Sequence, residues 1–214
     1  TALGFVGVDP AIRMHIAVGT SLATIVPTSI SSARAHKKRD AVDTDIVMRW
    51  GIFVLIGSLL GAWVASQVHS DVLAIVFATL AMLMAVKKVF FPDSRNLTDG
   101  IPRGPLVPGL LTVIGLFSSM MGIGGGLFTV MTLTLFSVPI HRAVGTAALF
   151  GLFIAVPGML GFMAAGWGDP RIPTGSIGFV SLLGFACIAP VTVLAAPFGA
   201  RIAHALSARH LNMA

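Results

Sequence analysis

The sequence predicts an all-α membrane protein: a polytopic transmembrane helical bundle of two inverted repeats with one glycine-broken hairpin. Three observations predict it. The chain is 56% hydrophobic and only 10% charged, whereas an ordinary soluble domain is roughly a quarter charged. Its apolar residues gather into runs of bilayer length, about 20 residues each. One motif occurs twice, placed alike against those runs.

Taken in order, spans are predicted near residues 16–33, 46–67, 71–90, 143–166 and 174–197. Pro27, Pro157 and Pro190 fall inside spans and imply kinks. Between the third and fourth spans, 105–138 is apolar but interrupted by Gly122-Ile123-Gly124-Gly125-Gly126, which leaves pieces of 17 and 12 residues. The second piece is too short to cross, and glycine releases the backbone from a regular helix. The segment is therefore predicted to be a helical hairpin, or a broken helix, that turns inside the membrane. Irregular backbone is tolerated there only within protein or beside a water-filled cavity. Residues 91–104 are the most polar stretch and form the linker. The chain divides into a first repeat, 1–90, a cytoplasmic linker, 91–104, and a second repeat, 105–214.

The repeat is read from residues. His15-Ile16-Ala17-Val18-Gly19-Thr20 recurs 126 positions later as His141-Arg142-Ala143-Val144-Gly145-Thr146. Gly61-Ala62 recurs as Gly199-Ala200, and Leu73 as Leu211, at a spacing of 138. The Gly166–Thr174 loop and its flanks account for the longer second copy. The first copy has no partner for the glycine-broken hairpin and the second none for the run at 71–90. The chain is thus expected to be trimmed at both ends.

Lys and Arg set the orientation, because cytoplasmic connections collect them. With the 33–40 loop inside and a hairpin at 105–138 that returns to its starting face, only Arg13 and Arg171 of the 14 basic residues lie outside. A single crossing at 105–138 would also carry Arg142, Arg201 and Arg209 outward. The bias favours the returning hairpin, and it makes the two copies inverted. The expected location is a cell membrane, crossed several times, the bacterial inner membrane in particular.

Composition also excludes chemistry. There is no Glu and no Tyr, and the eight Asp lie between or at the edges of the apolar runs. No carboxylate at membrane depth is available for proton or sodium coupling, and an intramembrane enzyme lacks its acid or base. The single cysteine, Cys187, cannot form a disulfide within the chain and reads as a small apolar residue. No Cys/His cluster has metal-ligand spacing, and no Gly-x-x-x-x-Gly-Lys-[Ser/Thr] is present, so no cofactor is expected. The net charge of +6 does not point to nucleic acid, since the basic residues sit in short connections. The stretch 33–40 reads as a cytoplasmic loop that can also touch anionic lipid.

Met121-Gly-Ile-Gly-Gly-Gly-Leu127, then a short apolar run, then Val138-Pro-Ile-His-Arg-Ala-Val-Gly-Thr146, resembles the sulfite exporter TauE/SafE family of membrane permeases. His15–Thr20 with Ser21 is similar to the same family's first copy. The resemblance covers essentially the whole chain. It implies a secondary transporter of small sulfur-containing anions such as sulfite or sulfonates. An anion channel for small oxyanions is the alternative. The oligomeric state is left open, a homodimer included.

An anion crossing lipid needs compensation, and three sources are available. Backbone N–H groups at Gly122, Gly124, Gly125 and Gly126 are unshielded by side chains and can form an anion-binding concavity. Helices starting near Ala17 and Ala143 would aim their positive ends at the hairpins, with Gly19, Thr20, Ser21, Gly145 and Thr146 beside them. His15 and His141 occupy matching positions, and Arg142 follows the second. Each has a plainer reading: the glycines as a helix-packing surface, the threonines bonded to the preceding turn, the histidines at the interface, Arg142 as a topology signal.

Overall fold

The computed structural model describes residues 8–90, 101–102, 104 and 106–207. Most of the 91–104 linker lies outside the described residues, as do Arg95, Arg103, Arg209 and Leu211.

A single 3-10 turn, Pro10–Ile12, opens the described chain, with the Asp9 carboxylate accepting from the Ala11 N–H at 2.9 Å. Helix α1 follows at Arg13–Lys37. Helix α2, Thr44–Gln67, starts at Asp43, whose carboxylate caps the Ile46 N–H at 3.2 Å. Helix α3 is Ser70–Phe90, α4 is Leu106–Met121, α5 is Gly126–Leu135 and α6 is Ile140–Ala165. A two-residue ladder, β1 (Ser176–Ile177) with β2 (Val180–Ser181), precedes α7, Leu182–Ala205. With the opening turn counted into α1, five of these helices are long and apolar enough to cross a bilayer, namely α1, α2, α3, α6 and α7. This is a helical, multi-pass membrane protein.

Four spans start within three residues of their predicted place. The fifth does not: it was placed at 174–197, and α7 begins at Leu182. The reason is local chemistry. Gly168, Gly175 and Gly178 take left-handed backbone angles, which turn the chain into the short β ladder. Ser181 then caps the helix by accepting from the Gly184 N–H at 3.2 Å. Proline does not shorten α7, which carries both Pro190 and Pro197.

The helices pack through glycine. Helices α1 and α6 lie side by side and antiparallel: Gly19, near the start of α1, abuts Phe162, and Gly145, near the start of α6, abuts His36. Helices α2 and α4 run parallel, with Gly57 and Gly61 pressed on the Thr112 and Leu116 carbonyls and Gly115 on the Val54 carbonyl. Only a residue without a side chain permits backbone contact this close, and membrane helices favour it for want of a hydrophobic drive. Phe150, Ile154 and Phe162 of α6, Ile16 and Leu22 of α1 and Val54 of α2 fill the centre. Helix α7, by contrast, exposes Leu194, Phe198 and Ile202, a surface suited to lipid.

Candidate functional site at the glycine break

The break forms where predicted. Helix α4 stops at Met121, and Gly122, Gly124 and Gly125 hold φ of +68°, +66° and +71°. Side chains resist that conformation by about 1–2 kcal/mol per residue; glycine does not. The chain therefore reverses within four residues and restarts as α5, only 10 residues long. Gly122 rests on Val18 and Ser21, and Gly124 on Ile25, the middle residue of α1; Gly125 meets Ile154, near the middle of α6. Helix α4 runs parallel to α2, and the short 136–139 link joins α5 to the start of α6. Both ends of the hairpin thus lie at the end of the bundle where α2 and α6 begin, and its turn sits at mid-depth.

The turn is held from outside and left unfinished within. The Ser21 hydroxyl donates to the Gly122 carbonyl at 2.6 Å. The Gly122 and Ile123 N–H groups donate back to the Ser119 and Ser118 carbonyls at 3.3 and 3.2 Å. The Gly122 amide is therefore engaged, unlike the free donor expected from sequence. Gly125 holds the cap position before α5 and brings no side chain to it, so the first-turn N–H groups of α5 lack the usual partner. The helix N-terminus at the break belongs to α5. Those of α1 and α6, which begin at Arg13 and Ile140 rather than near Ala17 and Ala143, lie at the two ends of the bundle.

Beside this uncapped turn is a group of hydroxyls that sequence reasoning missed. Ser118, Ser119 and Thr129 are fully buried, and none of their hydroxyl oxygens has a hydrogen-bond partner. A buried polar group left unpaired costs about 1–3 kcal/mol, and three together call for an explanation. Ser118 Oγ lies 3.2 Å from the position a Gly125 Cβ would take; Ser119 Oγ and Ser58 Oγ lie 2.9 and 3.2 Å from that of Gly158. Ser58 itself donates to the Ile154 carbonyl at 2.7 Å. The signal was in the sequence: Ser118-Ser119 directly precede Met120-Met121-Gly122, two hydroxyls in an apolar run against a break.

The paired motifs make paired contacts. Thr20 Oγ1 accepts from the N–H of Ser181, the residue that caps α7, at 2.9 Å. Thr146 Oγ1 accepts from the N–H of Asp43, the residue that caps α2, also at 2.9 Å. Gly19 seats the Phe179 carbonyl and Gly145 the Ala41 carbonyl, each two residues before that cap. His15 reaches the end of α2, at the Ala65 carbonyl (3.0 Å), and Ser70 Oγ (3.3 Å). His141 reaches the end of α7, at the Leu206 carbonyl (3.2 Å). Arg142 donates to Asp43 at 2.7 Å in a half-exposed ion pair. Of the sequence-derived residues, then, the structure gathers Gly122, Gly124, Gly125, Gly126 and Ser21 at the break. It puts Gly19, Thr20 and His15 at one end of the bundle and Gly145, Thr146, His141 and Arg142 at the other. His36 and His204, not singled out in the sequence, share a hydrogen bond of 3.1 Å, and His141 stacks on His204.

Bilayer-length apolar helices around a glycine-broken pair, with a few hydroxyls buried at the break of an otherwise apolar core, define a polytopic membrane protein. Comparison with known proteins makes the assignment specific. Residues 1–214 match the family described as Sulfite exporter TauE/SafE, and the chain belongs to that family of membrane transporters. It is 32% identical to a "Probable membrane transporter protein" of Haemophilus influenzae over 182 residues, 84% of this chain and 68% of that one. It is 28% identical to the "Probable membrane transporter protein YdhB" of Bacillus subtilis, over 78% of this chain and 76% of the relative. Against the "Probable membrane transporter protein MJ0441" of Methanocaldococcus jannaschii identity is 23%, over 94% and 74%. No solved structure matches the chain.

Proposed function

We propose that the protein is a secondary transporter of small sulfur-containing anions, sulfite or sulfonates, that works by alternating access of two inverted repeats. One observation carries the reading: three buried hydroxyls without partners stand beside the uncapped N-terminus of α5 at mid-depth. Hydroxyl donors and free amides are what an oxyanion needs in a low-dielectric layer, and the helix end adds roughly half a positive charge. The antiparallel α1 and α6, and the reciprocal seats that Thr20 and Thr146 offer the caps of α7 and α2, support the inverted arrangement. Each half then clasps the start of a helix from the other. Rocking would pivot on these clasps while the hairpin turn presents Gly124, Gly125 and Gly126 to the solute.

The test is thermal unfolding of the detergent-purified protein with sulfite, a small sulfonate and a carboxylate of like size. A ligand bound only to the folded state raises stability by mass action, about 2.7 kcal/mol at a hundred times its dissociation constant. A rise with the sulfur anions and none with the carboxylate is the expected result. Equal silence toward every oxyanion refutes the substrate class. Saturable exchange in liposomes without unitary currents separates a carrier from a channel.

A further inference from the structure

The C-terminal ends of α1 and α7, which the basic residues predict to face the cytoplasm, enclose a cleft of about 680 Å³. We propose that this cleft is a binding site for one anionic phospholipid, a headgroup phosphate at its rim and an acyl chain along its floor. Four cations line it, Arg34, Lys38, Arg39 and Arg201, and no carboxylate does. The two ion pairs among the described residues, Arg142–Asp43 and Arg171–Asp169, leave all four out. Arg39, in the turn after α1, spends one donor on the Ala35 carbonyl of that helix at 3.1 Å, and Arg201 stands over the Phe198 ring at 5.3 Å.

Of the other six lining residues, five are apolar, Pro27, Ile30, Ala35, Val193 and Pro197, and the sixth, Ser31, spends its hydroxyl on the Val193 carbonyl. A charged rim over an apolar floor fits an amphiphile rather than a fully hydrated solute. Basic pockets between membrane helices on the cytoplasmic side have this chemistry. Helix α7 exposes Leu194, Phe198 and Ile202 next to the cleft, so its mouth adjoins the surface that lipid covers.

Two further observations favour a resident lipid over a substrate path. The deep end of the cleft is stapled shut, by Thr28 Oγ1 on Thr192 Oγ1 at 2.7 Å and by Ser31 Oγ on the Val193 carbonyl at 2.9 Å. The glycine break touches α1 at Val18, Ser21 and Ile25, beyond that staple. The repeat supplies an internal comparison as well. At the spacings of the two motifs, Arg34, Lys38, Arg39 and Arg201 correspond to Leu160, Ala164, Ala165 and Trp63. Helix packing in this fold does not demand cations at these places.

The experiment is native mass spectrometry of the delipidated full chain, titrated separately with phosphatidylglycerol, phosphatidylcholine and inorganic phosphate. Phosphatidylglycerol should give one retained adduct. Each cation removed should weaken it roughly fivefold, and R34Q/R39Q/R201Q together about a hundredfold, with thermal unfolding in zwitterionic detergent unchanged. If the triple variant does not fold, Arg201→Gln alone carries the same test at fivefold. Val193→Trp fills the floor without touching charge and should also abolish the adduct. Equal retention of phosphatidylcholine, an undiminished adduct in the charge variants or an undiminished adduct in Val193→Trp each overturns the proposal. So does inorganic phosphate that displaces the lipid at equal concentration, since the site would then read the phosphate alone.

Discussion

Replacing Gly125 by alanine probes the break directly. Gly125 holds φ of +71°, and a Cβ there would overlap Ile154 Cδ1. The left-handed backbone adds about 1–2 kcal/mol, and forcing a methyl group into packed surroundings adds about 1–3 kcal/mol. The sum is about 2–5 kcal/mol. For a chain of this size each kcal/mol moves the midpoint by about 2–4 °C, so Gly125→Ala should lower it by roughly 5–20 °C. Trp50, Trp63 and Trp167 supply the signal for scanning fluorimetry in detergent. Two controls separate the causes. Gly126 begins α5 with open space around its missing side chain, so Gly126→Ala should leave the midpoint level or raise it. Ile154→Val removes the overlapping atom at a cost of about 0.5–1.5 kcal/mol; in a double-mutant cycle it should recover the packing part and leave the backbone part. Strict additivity of Gly125→Ala and Ile154→Val, or equal losses at Gly125 and Gly126, would refute the described turn.

The clasps predict that Thr20→Val and Thr146→Val each cost about 1–3 kcal/mol, because each strands a backbone N–H; thermal midpoints that differ several-fold between the two variants would count against equivalent roles. Arg142→Gln removes a half-exposed ion pair worth about 0.2–1 kcal/mol, so stability and liposome uptake should both survive, and loss of uptake at an intact midpoint would place Arg142 on the substrate. In the loop between α6 and α7, the Arg171 guanidinium hydrogen-bonds Asp169 and holds its carboxyl down to about 2. A depressed carboxyl contributes stability above its unfolded value and loses it as pH falls through about 2. Asp169→Asn should therefore leave the slope of stability against pH unaltered from pH 5 to 8, whatever the change in level, and a changed slope in that window would contradict the pair. Serine-to-alanine changes at Ser118 and Ser119 remove unpaired groups and should not lower the midpoint, yet they should abolish any sulfite-induced rise if those hydroxyls meet the anion.

Much of this was legible in the residues. Long apolar runs betray spans because lipid imposes one length on every crossing, and the glycine cluster marks a break because no other residue tolerates three left-handed angles in four positions. What the chain kept hidden was partnership. Gly19 and Thr20 look like a pore motif until Phe179 and Ser181, 160 residues away in sequence, are seen seated on them. Arg142 looks free until Asp43 is found beside it. The start of α7 was misplaced because hydropathy runs on through Ile177 to Val180, where glycine turns rather than polarity end the loop. Ser118 and Ser119 escaped notice because a serine in a membrane helix usually bonds the carbonyl one turn back, and in the folded chain these two do not.

The distribution of charge bears on how such a protein could release what it binds. Of the described ion pairs, Arg142–Asp43 lies where two helices start and Arg171–Asp169 in a loop, and the cations of the cleft lie near helix ends, while the break offers only hydroxyls, amides and the partial charge of one helix end. A full positive charge at mid-depth would be costly to maintain without a partner and would hold an anion tightly once it arrived. Neutral donors avoid both problems. They make the unloaded site tolerable, at the cost of a few unpaired hydroxyls, and they keep the loaded site shallow. On the proposed reading, introducing a lysine at Ser119 should tighten sulfite binding while slowing exchange in liposomes. A variant that binds more tightly and also exchanges faster would show that transport here is limited by capture, and that neutrality at the break serves some other end.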